Sequence, residues 1–158
     1  MIAERNFPFE RMYDFLLKND CAFSVPLSKS LEKFSTNLEN YAKKLSEKAT
    51  VAWEEDHGII KGMVIGYTND MPDIITGGWG GGQKSYITQV ATDSLYRRQG
   101  VCQRLLAEYI EFCRKKNIAM VWLTTEETNF PARSVYEKAG FSSAEKIDGL
   151  IKYEMFLR

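Results

Sequence analysis

The residues with the most chemistry in their spacing are Arg97, Arg98, Gln99, Gly100, Val101, Cys102, Gln103 and Arg104. They follow an extended apolar run, Tyr86-Ile87-Thr88-Gln89-Val90-Ala91, and lead into Leu105, Leu106, Tyr109, Ile110 and Cys113 at helical spacing. Arginines and a glycine therefore stand where a strand passes into a helix. The first turn of a helix carries backbone N–H groups with no intrahelical acceptor, and the macrodipole adds partial positive charge there. Gly100 lets a ligand approach the backbone because it has no Cβ. The chemistry this arrangement serves is the holding of an anion, a phosphate or pyrophosphate.

A second constellation lies downstream. Asn129-x-x-Ala132-x-x-x-Tyr136-x-x-x-Gly140-Phe141 sets an amide, a phenol and a helix-ending glycine at fixed intervals. On spacing alone Tyr136 is read as packing on the inner face of a helix. Other candidates carry less. In the stretch 77–85 a phosphate loop is excluded, because Gln83 separates Gly82 from Lys84 and a strand follows. Two readings of that stretch stay open: a loop bordering an acceptor site with Trp79 as a stacking ring, or a plain hairpin connection. His57, the single histidine, falls in a polar turn and is expected to face solvent. The three cysteines, Cys21, Cys102 and Cys113, are odd in number and widely spaced, which argues against a disulfide framework or zinc site and for a reducing compartment. No metal is expected.

The elements that must position these residues follow from periodicity. Helices are expected over 7–19 and 28–47, the second capped by Ser28 or Ser30. Strands are expected over 49–54 and 59–68, joined by the turn Glu55-Asp56-His57-Gly58. Gly62 and Gly66 mark a bulge or a close backbone approach in the second of these. A loop over 69–82 precedes a strand over 84–92, the opening motif, and a helix over 100–116 closed by Asn117. A buried strand over 119–125 precedes a helix over 129–138, with Pro131 in its first turn and Gly140 past its end. Strands over 141–147 and 150–157, joined by Asp148-Gly149, complete the chain. The order predicts a mixed sheet with helices on its faces and a parallel crossover between the strands at 84–92 and 119–125.

Length and composition bound the function. The 158 residues fit one domain, 1–158, and 44% hydrophobic with 27% charged residues is the balance of a soluble globular chain. Lys plus Arg and Asp plus Glu are each 21, so the basic excess of a general nucleic-acid binder is missing. No apolar run has the length of a membrane span, and the first residues lack an apolar stretch of signal type, so a cytoplasmic protein is expected.

Taken together, the two motifs resemble the GNAT superfamily of N-acetyltransferases. That family carries Arg/Gln-x-x-Gly-x-Gly/Ala between a strand and a helix, and Asn-x-x-Ala…Tyr…Gly-Phe on a later helix. The resemblance spans about 49–158, with one departure: Cys102 stands where the family usually has Gly or Ala. It is read as a small buried residue ahead of a catalytic or redox thiol. The resemblance implies a GNAT-like α/β fold (an α+β mixed sheet): a mostly antiparallel central sheet with a parallel splayed strand pair and helices on both faces. It implies acetyl-CoA as co-substrate, lying in the splay. Backbone groups of Val90, Ala91 and Thr92 would bond the pantetheine and the acetyl carbonyl. Arg97 and the N–H groups of Arg98, Gln99, Gly100, Val101, Cys102 and Gln103 would cradle the pyrophosphate, with Arg104 as a further charge. Asn129 would contact the pantetheine arm.

Tyr136 would sit against the cofactor sulfur as general acid, a phenol of reference pKa about 10 facing a thiolate of about 8.5. Glu126 or Glu127 is the candidate general base, with Glu54 and Asp93 as rivals and a water chain as a further route. The reaction implied is direct attack by a primary amine of a small molecule. The alternatives are a protein amine as acceptor, and a CoA-binding regulatory module without catalysis. A homodimer is an assembly the resemblance allows.

Overall fold

The computed structural model describes residues 1–23, 25–68 and 84–157. The glycine-rich stretch 77–82, with Trp79 and Gln83, lies outside the described residues. Helix α1 (Phe9–Lys18) buries Met12, Phe15 and Leu16. The single helix expected over 28–47 is two: α2 (Leu27–Glu32) and α3 (Leu38–Lys48). Ser35 adopts φ 54° between them, and the Asn37 side chain caps α3 by accepting from the Asn40 N–H at 2.8 Å. Ser, Thr and Asn offer the backbone local alternatives to a helix, so Ser35-Thr36-Asn37 breaks it although the apolar stripe continues across. Ser28 and Ser30 are not the caps. Pro26 precedes α2 without a side-chain cap, and Ser28 instead bonds Asp20 through its N–H (2.8 Å) and hydroxyl (2.6 Å).

Seven strands form one sheet in the order β1-β2-β3-β4-β5-β7-β6. They are β1 (Ile2–Ala3), β2 (Thr50–Asp56), β3 (Ile59–Tyr67), β4 (Lys84–Thr92), β5 (Met120–Glu126), β6 (Ser142–Ile147) and β7 (Leu150–Phe156). All neighbours are antiparallel except β4 and β5. The remaining helices are α4 (Val101–Lys115) and α5 (Phe130–Ala139). This is the mixed architecture expected from the sequence. The two-residue β1 was not expected; it is too short to show a period.

Two turns follow their residue types. His57-Gly58 and Asp148-Gly149 both take positive φ at each position, the geometry that suits two-residue hairpin loops.

The sheet separates two apolar cores. One, beneath α1–α3, gathers Phe15, Leu16, Leu45, Val51, Met63, Ile65 and Tyr86. The other, beneath α4 and α5, gathers Ala52, Val64, Ile87, Leu105, Tyr109, Val121, Leu123 and Tyr136. Val51, with Trp53, faces one core and Ala52 the other, and Val51 and Ala52 are both fully buried because helices cover both faces. No helix among the described residues is long and apolar enough to cross a membrane.

The feature that positions the site is where β4 and β5 part. They pair only through Lys84↔Met120, Ser85↔Val121 and Tyr86↔Trp122. Beyond that point β4 stays with β3 as far as Thr92, and β5 stays with β7 as far as Glu126. A bulge sets the divergence: Ile65 faces Gln89 while Gly66 faces Ile87, leaving Thr88 as an extra residue on β4. Bulges bend and over-twist the strand that carries them, and this one falls just past Tyr86.

Candidate active site

Past Tyr86, the side of β4 that faced β5 is a strand edge inside a sheet, with backbone donors and acceptors that no neighbouring strand takes. Val90, Ala91 and Thr92 lie along it, half-buried. The strand ends at Asp93, which is buried and accepts from the Leu95 N–H at 3.0 Å. Burial works to raise the Asp93 carboxyl, but the Leu95 N–H and Lys18, 3.0 Å away, outweigh it and hold the pKa below its ordinary value. Asp93 therefore anchors the start of the turn.

The turn itself is exposed. Arg97 is extended, Arg98 takes φ 62° and Gly100 takes φ 75°. The first intrahelical bond of α4 runs from the Arg104 N–H to the Gly100 carbonyl at 3.1 Å, so the N–H groups of Val101, Cys102 and Gln103 leave the first turn without intrahelical acceptors. The cap is glycine, and no side chain competes for them. Left-handed residues alternating with others in such a turn gather N–H groups into an anion-binding concavity.

Gly62 seats this turn. A Cβ there would lie 2.8 Å from Val101 Cγ1 and 3.0 Å from the Ala91 carbonyl, so only glycine lets the start of α4 rest on β3 beside the end of β4. The expected close approach is thus found, and its partner is the motif helix.

The arginines divide. Arg97 and Arg98 form no ion pair with a described residue. Arg104, expected to add charge for a phosphate, is committed elsewhere. Its Nε and Nη2 donate to Glu54 at 3.1 and 2.7 Å, and its Nη1 donates to the Gln99 carbonyl at 2.7 Å. The Arg104 hydrogen bond, helped by Lys61 at 3.0 Å and opposed by burial, lowers the Glu54 pKa to about 2. So acidic a carboxylate is a poor proton acceptor, and Glu54 drops out as a rival base.

Tyr136 comes from α5 and is 8% exposed. Its ring meets Phe141 edge-on at 6.2 Å and Tyr153 at 6.0 Å. Its hydroxyl makes no hydrogen bond with a described residue, and it is not among the fully enclosed unpaired polar atoms. Burial pushes the phenol well above its ordinary pKa, and the Cys102 thiol and Tyr86 phenol add to the shift. Tyr86 belongs to the core on the other face, packed on Trp122 at 4.3 Å. The Cys102 thiol, half-buried, is itself pushed up to about 11 by burial and stays protonated. That environment suits a small packing residue and not a nucleophile.

Asn129 caps α5, its Oδ1 accepting from the Ala132 N–H at 3.3 Å. Gly140 ends the same helix at φ 103°. Glu126 closes β5, half-buried and opposite Leu150. The Glu127 carboxylate is paired with Lys146. His57 is exposed in its hairpin turn. No group of three His, Cys, Asp or Glu side chains suited to a metal gathers among the described residues.

Two further features of the site were missed from sequence. One is the Glu54–Arg104 pair, 50 residues apart. The other is a brace on the helix that carries Tyr136. Arg133 donates to the Tyr153 hydroxyl (3.1 Å) and the Glu127 carbonyl (2.9 Å), and the Tyr153 hydroxyl donates to Glu137 at 2.9 Å. Neither leaves a local pattern. A charge that finds its partner across the fold looks in sequence like any surface charge.

The structure thus provides a parallel pair that parts after Tyr86, a glycine-capped helix start after β4 and a buried phenol on α5. The model of the acetyltransferase (GNAT) family matches residues 11–141, and the chain belongs to that family. Among curated proteins it is similar to the ribosomal protein bS18-alanine N-acetyltransferase of Escherichia coli, with 36% identity over 55 residues, which is 35% of this chain and 37% of that one. The chain thus matches little more than a third of the length of the curated relative. Among solved structures, a GNAT-family acetyltransferase from Desulfovibrio desulfuricans has a TM-score of 0.74 at 13% identity, covering 100% of this chain and 99% of that one. The PaiA N-acetyltransferase from Thermoplasma acidophilum, solved in complex with coenzyme A, has a TM-score of 0.68 at 16% identity, covering 99% of both. The last two share the fold.

Proposed function

We propose that the protein is an acetyl-CoA-dependent N-acetyltransferase that acylates a primary amine by direct attack. The observation that carries the reading is the gap between β4 and β5, with the bare N–H groups of Val101, Cys102 and Gln103 at its mouth. Acetyl-CoA, when bound, supplies an activated acyl group on a thiol leaving group. The residues present fit it: a free strand edge for an amide-rich arm, and a glycine-capped helix start for a pyrophosphate. Val90, Ala91 and Thr92 hold the arm by backbone bonds. Arg97 and Arg98 add charge beside Gln99 and Gly100. Asn129, whose Oδ1 is engaged in the cap, offers its amide N–H to the same arm.

Tyr136 serves at the sulfur. Its raised pKa keeps the phenol protonated throughout the physiological range, so it acts as a hydrogen-bond donor to developing negative charge more readily than as a full proton donor. Glu126 remains the candidate for removing the amine's proton.

The acceptor is read first as a small-molecule amine. The similarity to an enzyme named for a ribosomal protein alanine favours a protein amine as the second reading. The experiment is a thermal melt with acetyl-CoA, followed by thiol-release assays over small amines and alanine-initiated peptides. Acetyl-CoA is expected to raise Tm, and Tyr136→Phe to lower kcat by about a hundredfold. No rise in Tm at saturating acetyl-CoA overturns the reading. Full activity in Tyr136→Phe removes that residue's role.

A further inference from the structure

Arg104 stands on the first turn of α4, yet its guanidinium is taken up by groups of the protein. It bridges two groups of the protein: the Glu54 carboxylate on β2, held by two bonds, and the Gln99 carbonyl in the turn, held at 2.7 Å. Glu54 is fixed in turn. It sits at a bulge between Glu54 and Glu55, which re-aims side chains. Lys61 of β3 holds its Oε1 at 3.0 Å and lies over the Tyr96 ring at 5.6 Å. The chain of contacts therefore runs from β2 and β3 through α4 to one peptide of the turn.

That peptide matters because of its geometry. A trans peptide is planar, and its C=O and N–H point in opposite directions. The chain has no cis peptide among its described residues. Holding the Gln99 carbonyl therefore holds the Gly100 N–H, which points the other way. Gly100 is free to rotate at φ 75° with no side chain to brace it, so the restraint has to come from outside the residue. A Cβ at Gly100 would lie 3.0 Å from Arg104 Nη1, close enough that the guanidinium would have to give way by a few tenths of an ångström.

Resting on the acetyl-CoA reading above, we propose that Glu54 and Arg104 are a positioning pair. They orient the Gln99–Gly100 peptide so that its N–H is preorganised for the pyrophosphate of the donor, and Arg104 does not itself bind phosphate. This reverses the usual expectation for an arginine beside an anion site, and the reversal has a sign that can be measured. If Arg104 contacted phosphate directly, removing the Glu54 charge would free a cation and tighten binding.

The test measures the affinity of the full-length chain for acetyl-CoA and for S-acetylpantetheine, which lacks the pyrophosphate. Glu54→Gln and Arg104→Gln are each expected to weaken acetyl-CoA by roughly five- to tenfold, the scale of one net hydrogen bond. The double variant is expected to be no worse than either single one, because the two residues act as a unit. Arg104→Lys keeps the charge but lacks the fork that bridges two acceptors, and should match Arg104→Gln. S-Acetylpantetheine affinity should stay within about twofold in every variant.

Unchanged or tighter acetyl-CoA binding in Glu54→Gln overturns the proposal. So does wild-type affinity in Arg104→Lys, or an equal loss for both ligands, which marks a general disturbance of the fold. A wild-type chain that binds no acetyl-CoA overturns the underlying function. A wild-type chain that binds it, with variants that bind equally well, overturns only the pair.

Discussion

Two buried tyrosines, Tyr109 and Tyr136, belong to the core beneath α4 and α5. Tyr109 lies over the closed half of the β4–β5 pair. Its hydroxyl is 2.7 Å from Ser85 Oγ, in the stretch where the two strands still pair. Tyr136 has no hydrogen-bond partner among the described residues. Burial raises both phenols well above their ordinary pKa. Burial and titration therefore do not tell the two apart. Whether the protein itself satisfies the hydroxyl does. Tyr109 belongs to the packing, whereas Tyr136 keeps a donor in reserve, and an unsatisfied polar group in a largely buried setting is tolerated where a ligand completes it.

The same contrast holds for the two glycines of β3 beneath α4. Gly66 serves the closed half: a Cβ there would lie 2.2 Å from the Tyr109 hydroxyl and 2.7 Å from the Tyr86 carbonyl. Gly62 serves the open half and seats the anion-binding turn. The largest effect is therefore expected at Gly66. Gly66→Ala forces a side chain against backbone as well as Tyr109, and should cost about 3 kcal/mol, read by chemical denaturation. A near-neutral result would show that the closed half adjusts freely, and the contrast with the open half would weaken.

Next comes Tyr109→Phe. It leaves the Ser85 hydroxyl buried and without this partner, at about 1–2 kcal/mol of stability, with acetyl-CoA affinity unchanged. Tyr136→Phe is expected to do the converse, sparing stability and lowering turnover. Loss of turnover in both variants at equal stability would erase the distinction between them.

The smallest effect concerns pH. The Glu54 carboxyl titrates at about 2 in the folded chain, against an ordinary 4.5. A group whose pKa is depressed by folding stabilises fully above its unfolded value and loses that contribution as pH falls through the folded one. The stability gap between wild type and Glu54→Gln should be constant above about pH 5 and close between about 4.5 and 2. Because Arg104 is half-exposed and solvent screens the pair, the gap should stay under about 1 kcal/mol. A gap that widens on acidification would contradict the assignment of charge.

Much of this was legible in sequence, because the donor side is written in local terms. A strand, a glycine cap and a helix are consecutive along the chain, and so are Asn129, Pro131, Tyr136 and Gly140, each with a positional meaning of its own. The strand over 84–92 was placed with its ends unchanged. The misplaced helix over 28–47 failed for an equally local reason. The apolar period runs on unbroken across Ser35-Thr36-Asn37, whereas in the fold Asn37 caps a new helix there.

The amino-acid sequence by itself determined which backbone groups would be left bare, since a glycine cap and a helix start are properties of neighbouring residues. Only the tertiary structure decided where those groups would point. It settled that β4 and β5 would part after Tyr86 through a bulge set against β3, and that Gly62 would receive α4. It also settled that Arg104 would spend its charge on Glu54 and the Gln99 carbonyl. The physical reason is reach. Caps and turns are made by groups within a few residues of one another. Strand divergence, helix seating and ion pairing depend on contacts that no local pattern specifies.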